Sequence, residues 1–248
     1  MSRFNHSVVV VTGAGSGLGL AAAQSFHREG ANVIGLDINK GNFGNFGKWI
    51  ECDVGNTVSV KAAFEKIQSG TEIIDAVINV AGVGAVGTIE TATDDEWSRL
   101  FNVNVSGIGR VSKAALPFLR KSNKAAIVNV GSIAANAGLP ERAIYSATKG
   151  AVNALTLAMA ADHIHEGIRV NCVNPGTADT PWVERLLAQS KDPVQEKALL
   201  NARQPMGRLV TPEEVASAIL YLADPSQGST TGTILAVDGG MYGLRLRK

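Results

Sequence analysis

Tyr145 and Lys149 stand four residues apart and are the first candidates for a catalytic pair in this 248-residue chain. The i, i+4 spacing places both side chains on one face of a helix. A phenol is a poor base at neutral pH because its pKa is near ~10, but a neighbouring ammonium favours the phenolate. The pair could therefore remove the hydroxyl proton of a secondary alcohol while a hydride leaves the carbon.

Two polar residues upstream extend this candidate set. Ser132, at the end of a predicted strand over 125–132, could hydrogen-bond and orient the substrate oxygen. Asn104, within a predicted long helix, could hold a water that passes the proton from Lys149 to solvent. Each residue has an ordinary alternative: Ser132 as a turn residue, Tyr145 as a core residue and Asn104 as a partner of backbone groups. All of them together, in this order, favour catalysis.

A glycine-rich turn joins a predicted strand to a predicted helix near the N-terminus. Gly13, Gly17 and Gly19 follow the spacing T-G-x-x-x-G-x-G, and no set of glycines here satisfies G-x-G-x-x-G. The spacing still allows the backbone to approach a phosphate closely, with a helix N-terminus directed at the anion. We therefore predict a nucleotide site, the alternative being a turn that binds nothing.

Asp37 ends the second predicted strand, where its carboxylate could accept hydrogen bonds from an adenosine ribose. The same charge would repel a ribose 2′-phosphate, and the neighbouring Ile38 offers that phosphate no positive charge. The predicted cofactor is therefore NAD rather than NADP.

These candidates require a frame of alternating strands and helices. The strand candidates are apolar nearly throughout, as expected for parallel strands covered on both faces, and we predict a Rossmann-type doubly wound α/β sheet in a single domain, 1–248. A segment at about 177–210 shows no clear pattern, follows a strand end and is predicted to be a substrate lid. The predicted strands are 8–12, 32–37, 48–53, 75–81, 125–132, 168–175 and 233–238, and the predicted helices are 17–29, 57–69, 94–121, 146–166 and 212–223.

Composition excludes several classes of function. The formal net charge of +1 gives no broad basic surface, so nucleic-acid binding is not predicted. No apolar run approaches membrane-spanning length, and the N-terminal segment lacks the apolar region of a signal peptide. Cys52 and Cys172 each lie in an apolar run and are interpreted as reduced packing residues, which predicts a cytoplasmic protein. No metal site is predicted.

Taken together, the motifs resemble those of the short-chain dehydrogenase/reductase family, over nearly the whole chain. The matching motifs, in the family's order, are Thr12-Gly13…Gly17-x-Gly19, Asp37, CDV at 52–54, NVAG at 79–82, Asn104, Ser132, Tyr145-x-x-x-Lys149, NPG at 174–176 and VDGG at 237–240. Two residues depart from the family pattern: Val80 stands where a second Asn is common, and Gly131 where a Ser often precedes the catalytic one.

The resemblance implies a seven-stranded parallel sheet, a homotetramer and a set of cofactor contacts. In it, Asp53 and Val54 flank the adenine, and Pro175–Thr180 lie against the nicotinamide. The complete implied set is Gly13, Ser16, Gly17, Leu18, Gly19, Asp37, Asp53, Val54, Asn79, Ala81, Gly82, Tyr145, Lys149, Pro175, Gly176, Thr177 and Thr180.

Arginines near these motifs indicate the substrate class. Arg142 precedes Tyr145 by three residues, and Arg185 and Arg203 lie towards the two ends of the predicted lid. Because guanidinium groups bind carboxylates in a bidentate geometry, we predict that Ser132, Tyr145 and these arginines bind a hydroxy acid or sugar acid.

The sequences around these arginines resemble family members that oxidise (R)-3-hydroxybutyrate or 2-keto-3-deoxy-L-fuconate. Three alternatives stay open: a neutral sugar or alcohol as substrate, an epimerase or dehydratase, and a non-catalytic NAD-binding protein. The basic tail, with Arg245, Arg247 and Lys248, could reach a partner subunit's site.

Overall fold

The computed structural model of the protein describes residues 2–246, which form a seven-stranded sheet with helices on both faces. The strand order is β3-β2-β1-β4-β5-β6-β7, and every neighbouring pair is parallel. The predicted doubly wound fold is therefore confirmed, with strand ends within about two residues of those predicted. The strands are β1 (Val8–Thr12), β2 (Asn32–Asp37), β3 (Lys48–Glu51), β4 (Ala76–Asn79), β5 (Ala126–Val130), β6 (Arg169–Pro175) and β7 (Ile234–Val237).

Two hydrophobic cores lie on the two faces of the sheet. Val9 and Val11 of β1 pack in the core that contains α1 and α8, whereas Val10 packs in the core that contains α2 and α4. Successive strand residues point to opposite faces, so an uninterrupted apolar strand serves both cores. The helices are α1 (Gly17–Arg28), α2 (Thr57–Gln68), α3 (Asp94–Phe101), α4 (Gly107–Leu119), α5 (Ala143–His163), α6 (Pro181–Gln189), α7 (Pro193–Arg203) and α8 (Pro212–Ala223).

The helix predicted over 94–121 is interrupted. A π-helical segment, Asn102–Ser106, separates α3 from α4. Because a wider turn of this kind leaves the apolar pattern continuous, the periodicity of the sequence does not reveal the π-helical segment. Such segments often occur at functional sites. The next helix, α5, begins at Ala143, three residues before the predicted start at 146, and so includes Tyr145 in its first turn.

The segment 177–210, which shows no clear pattern in the sequence, contains α6 and α7. Each helix has a proline in its first turn, and the Asp192 carboxylate accepts two backbone N–H bonds at the start of α7. These start signals are present in the sequence, but the short helices follow one another without the long apolar pattern of the core helices. Over the described residues, no helix has the length and apolar character that crossing a membrane requires.

Candidate active site

A cavity of about 620 Å³ opens at the carboxyl ends of the strands. Doubly wound sheets bind ligands at this edge, and the volume is typical of small-molecule sites. Most of the predicted site residues line it: Gly13, Ser16, Gly17, Leu18, Gly19, Asp37, Asp53, Val54, Ala81, Gly82, Ser132, Arg142, Tyr145, Lys149, Pro175, Gly176, Thr177, Thr180, Arg185 and Arg203.

The glycine turn after β1 has the geometry of an anion cradle. Gly13 and Gly17 have φ values of 67° and 52°, a backbone conformation that favours glycine. A Cβ on Gly19 would overlap the carbonyl oxygen of Gly13, so α1 can pack this closely against the turn only with glycine there. The N-cap residue Ser16 makes no side-chain capping bond, so the first N–H groups of α1 can bind an anion. The turn therefore fits a dinucleotide pyrophosphate.

Asp37 has a second role, which the sequence did not indicate. Its Oδ2 accepts a hydrogen bond from the Gly15 N–H at 2.9 Å, and its Oδ1 accepts one from the Asn39 N–H at 3.1 Å. The carboxylate therefore holds the glycine turn as well as lining the cavity. Its remaining lone pairs leave it able to accept bonds from a ribose diol.

The predicted adenine end of the cavity contains an arginine contact that sequence reasoning missed. Val54 is buried and lines the cavity beside the exposed Asp53. Arg110 of α4 donates a hydrogen bond to the Val54 carbonyl at 3.1 Å and another to the Asn102 side-chain oxygen. Nothing in the spacing of Arg110 from these residues points to this contact, because it depends on how α4 packs beside the loop.

Ser132, Tyr145 and Lys149 line the cavity together. The Lys149 ammonium is buried, donates a hydrogen bond to the Val130 carbonyl at 2.8 Å and lies 5.7 Å from the centre of the Tyr145 ring. Ser132 is also buried, and its hydroxyl accepts a bond from the Ala134 N–H at 3.1 Å. The ammonium, the phenol ring and the Ser132 hydroxyl are thus brought together at one cavity.

Asn104 and Asn79 do not line the cavity, although both were predicted at the site. The Asn104 amide accepts a bond from the Val83 N–H at 2.8 Å and donates to the Val83 carbonyl at 2.9 Å and to Thr148 at 3.1 Å. It therefore joins the loop after β4 to α5 with both amide hydrogens, and its role in holding a water stays a prediction. Asn79 donates instead to the Asn129 side chain at 2.9 Å, between β4 and β5.

The three predicted arginines also face the cavity. Arg142, the residue that precedes α5, is half-buried; burial lowers its pKa, and the charge of Arg203 adds to this effect. A guanidinium stays charged despite such a shift. Among the ion pairs of the described residues, none involves Arg142, Arg185 or Arg203. This wall of the cavity is therefore positively charged and suited to an anion.

Arg245, the basic tail residue that the structure describes, does not line this chain's cavity. Arg245 donates hydrogen bonds to the backbone carbonyls of Tyr242 and Leu244 and is exposed. Arg247 and Lys248 lie outside the described residues.

A family model described as enoyl-(acyl carrier protein) reductase matches residues 13–242, and 2-(S)-hydroxypropyl-CoM dehydrogenase 3 of Xanthobacter autotrophicus is 36% identical, over 97% of this chain and 98% of its own. The chain belongs to the short-chain dehydrogenase/reductase family. A second member, dehydrogenase/reductase SDR family member 6 of Rattus norvegicus, is 40% identical over 97% of this chain and 99% of its own. The solved structure of aldohexose dehydrogenase from Thermoplasma acidophilum, in ligand-free form, superimposes with a TM-score of 0.93 at 35% identity, covering 100% of this chain and 99% of that one.

Membership of this family makes the protein an oxidoreductase. Short-chain dehydrogenases generally use NAD or NADP, act on small molecules and are commonly oligomeric. The relatives named above do not confirm the resemblance to hydroxybutyrate or keto-deoxy-fuconate dehydrogenases.

Proposed function

We propose that this short-chain dehydrogenase interconverts a secondary alcohol and a ketone, with NAD as cofactor and a hydroxy acid or sugar acid, such as 2-keto-3-deoxy-L-fuconate, as substrate. The observation that carries the proposal is that Tyr145, Ser132 and Arg142 line the same cavity. A base and a charged carboxylate-binding group are thereby available to one small molecule. Arg185 and Arg203 add to the positive wall.

The proposed chemistry divides between the cofactor and the chain. NAD⁺, when bound, would supply the hydride acceptor, and the glycine turn and Asp37 would hold its pyrophosphate and ribose. Tyr145, as phenolate, takes the hydroxyl proton, and the buried Lys149 ammonium stabilises that phenolate. The Ser132 hydroxyl donates a hydrogen bond to the substrate oxygen and so orients the carbinol. Arg142 replaces the water that a carboxylate loses on entering the cavity.

The preference for NAD rests on Asp37. Its carboxylate lines the cavity next to Ile38 and Asn39, neither of which carries a positive charge. A 2′-phosphate there would meet a negative charge without a cation to balance it. The proposed cofactor contacts are the residues that the family resemblance implies and that also line the cavity. Asn79 is left out because it does not line the cavity.

A substrate panel tests the proposal. Hydroxybutyrates, aldonates and 2-keto-3-deoxy sugar acids are compared with neutral sugars by absorbance at 340 nm, with NAD⁺ and NADP⁺ for oxidation and with NADH and NADPH for reduction. We expect the highest kcat/KM with an acid and NAD. A neutral sugar with the higher value would overturn the acid assignment but not the dehydrogenase reaction.

A neutral sugar is the second candidate, because the aldohexose dehydrogenase has the same fold over its full length. A non-catalytic NAD-binding protein is the third, and the presence of Ser132, Tyr145 and Lys149 at one cavity argues against it.

We further propose a cytoplasmic homotetramer. Both cysteines are free and buried, and burial raises the pKa of the Cys52 and Cys172 thiols to about 11, as suits reduced packing residues in a reducing compartment. Sedimentation velocity and cell fractionation test the two parts of this proposal.

A further inference from the structure

Behind Ser132 lies a cluster of buried amides that the proposed mechanism does not use. Asn174, at the end of β6, is 3% exposed and is not among the residues that line the cavity. Its neighbours are the buried Asn153 and Cys172 and the exposed Asn136. Side-chain amides are rarely buried without a reason, since each must have its donors and acceptors satisfied.

Asn174 binds both ends of the segment that carries Ser132. Its Oδ1 accepts the Ser132 backbone N–H at 3.1 Å, and its Nδ2 donates to the Asn136 side-chain oxygen at 2.8 Å. Between these points the chain makes a single 3-10 turn, Ile133–Ala135, which the Ser132 hydroxyl caps. One side chain of β6 therefore fixes the position of the whole turn after β5.

Gly131 makes room for this amide. A Cβ at position 131 would overlap Oδ1 of Asn174 and would lie 3.0 Å from both Oδ1 of Asn153 and Sγ of Cys172. The Gly131 N–H continues the ladder to β6 by donating to the Val173 carbonyl at 2.8 Å, so the backbone cannot easily move away. The Asn174 side chain thus occupies the space that a larger residue at position 131, such as the Ser of the family pattern, would need.

We propose that Asn174 is a positioning residue for Ser132, and that Gly131 and Asn174 act as one unit. The inference rests on the proposed function, in which the Ser132 hydroxyl binds the substrate oxygen. Loss of the Asn174 amide leaves the buried Ser132 N–H without its partner and frees the turn to shift. The hydroxyl then loses its alignment with the carbinol, which lowers kcat without weakening cofactor binding.

A double-variant cycle tests the pairing. Asn174→Ala should lower kcat about tenfold, the loss expected when a buried hydrogen bond is left half-made, and should leave the Kd for NADH within about twofold. Gly131→Ala should lower kcat comparably, because its Cβ displaces the same amide. In Gly131→Ala/Asn174→Ala the overlap between the new Cβ and Oδ1 of Asn174 is gone, so kcat should match that of Asn174→Ala alone. Independent effects of the two substitutions would instead multiply to about a hundredfold loss of kcat.

Asn171→Ala is the matched control. Asn171 lies on the same strand, is fully buried and makes two side-chain hydrogen bonds, to the Thr230 carbonyl and from the Thr233 N–H. Its loss should lower thermal stability but change kcat less than about twofold. If Asn174→Ala does not fold, Gly131→Ala probes the same amide from the other side.

Three outcomes separate this inference from the proposed function. Unchanged kcat in Asn174→Ala, or losses that multiply in the double variant, would overturn the positioning role. Full activity in Ser132→Ala would overturn the proposed role of the hydroxyl itself. Hydrogen exchange of the peptide that spans 131–137 gives a readout without turnover: exchange should rise in Asn174→Ala but not in Asn171→Ala, and equal protection in both would contradict the inference.

Discussion

Two charged side chains that line the cavity, Lys149 and Asp37, are held by partners from other elements. The Lys149 ammonium is bound to the carbonyl of Val130, at the end of β5, and Asp37 is bound to the N–H of Gly15 in the first turn. These contacts reduce the freedom of the charged groups before any ligand arrives. Preorganisation of this kind lowers the cost of aligning a reacting group.

Arg142→Ala tests the acid assignment at a single residue. We expect KM for the acid substrate to rise about tenfold or more, since a charged hydrogen bond to the carboxylate is lost, while the Kd for NADH stays nearly unchanged. Arg120→Ala is the control, because Arg120 is exposed and pairs with Glu166 at 2.9 Å on the surface. An unchanged KM in Arg142→Ala would contradict the assignment of an acid as the substrate.

Asp37→Ala tests the choice of cofactor. We expect the wild-type enzyme to prefer NAD over NADP about tenfold or more, and the variant to narrow this ratio because the repulsion of the 2′-phosphate is gone. Affinity for NAD should also fall, since the Gly15 N–H loses its partner. Asp53→Ala, with an exposed carboxylate at the adenine end, should leave the ratio unchanged. Equal use of both cofactors by the wild-type enzyme would contradict the prediction.

Residue types and spacing were sufficient to predict most of the residues that line the cavity, but not which groups each side chain contacts. Asn104 and Asn79 belong to motifs that suggested the site, yet their amides bind groups of the loop after β4, of α5 and of β5. Arg110 and Asn174 were not predicted, because each acts across a distance in sequence that no local pattern encodes. Helix spacing did succeed for Tyr145 and Lys149, whose geometry is local.

At the scale of elements, the helices α6 and α7 form the outer wall of the cavity. Trp182 of α6 lines the cavity and lies against Gly84 in the loop after β4; a Cβ on Gly84 would be 2.6 Å from Cζ2 of the indole. The two elements therefore meet at a contact that requires glycine on one side. The predicted lid is consistent with this position, although its two helices were not foreseen.

Gly84→Ala tests this contact. The added methyl group should displace the indole, raise KM for the substrate several-fold and shift the tryptophan fluorescence of the enzyme. Gly138→Ala is the control, because an added Cβ there meets no atom within 4 Å. Equal KM and equal fluorescence in Gly84→Ala and wild type would show that α6 does not define the substrate end.

For the whole molecule, a parallel sheet covered on both faces follows from apolar strands that alternate with helices, which is why it could be predicted. The break in the helix predicted over 94–121 and the helices of 177–210 could not, since both depend on local geometry within a continuous or weak pattern. The oligomeric state is harder still to predict from the sequence, because it depends on how the surfaces of several copies fit together.

Deletion of residues 244–248 tests whether the tail serves a neighbouring subunit. Arg245 does not line the cavity of its own chain, so we expect its contribution to catalysis to come through a neighbouring subunit. In an oligomer confirmed by sedimentation velocity, we expect KM for the acid to rise, but by less than in Arg142→Ala. An unchanged KM in such an oligomer would exclude the tail from the site.

We propose above all that this chain transfers a hydride from a secondary alcohol to NAD⁺, with Tyr145 as the base. The most direct measurement uses the best acid of the panel, deuterated at the carbinol carbon, and detects deuterium at C4 of the reduced nicotinamide by NMR after a single turnover. We predict deuterated NADH from the wild-type enzyme and a rate lower by several orders of magnitude in Tyr145→Phe, which still binds NADH. Reduced cofactor without deuterium, or a Tyr145→Phe enzyme as fast as wild type, would contradict the account.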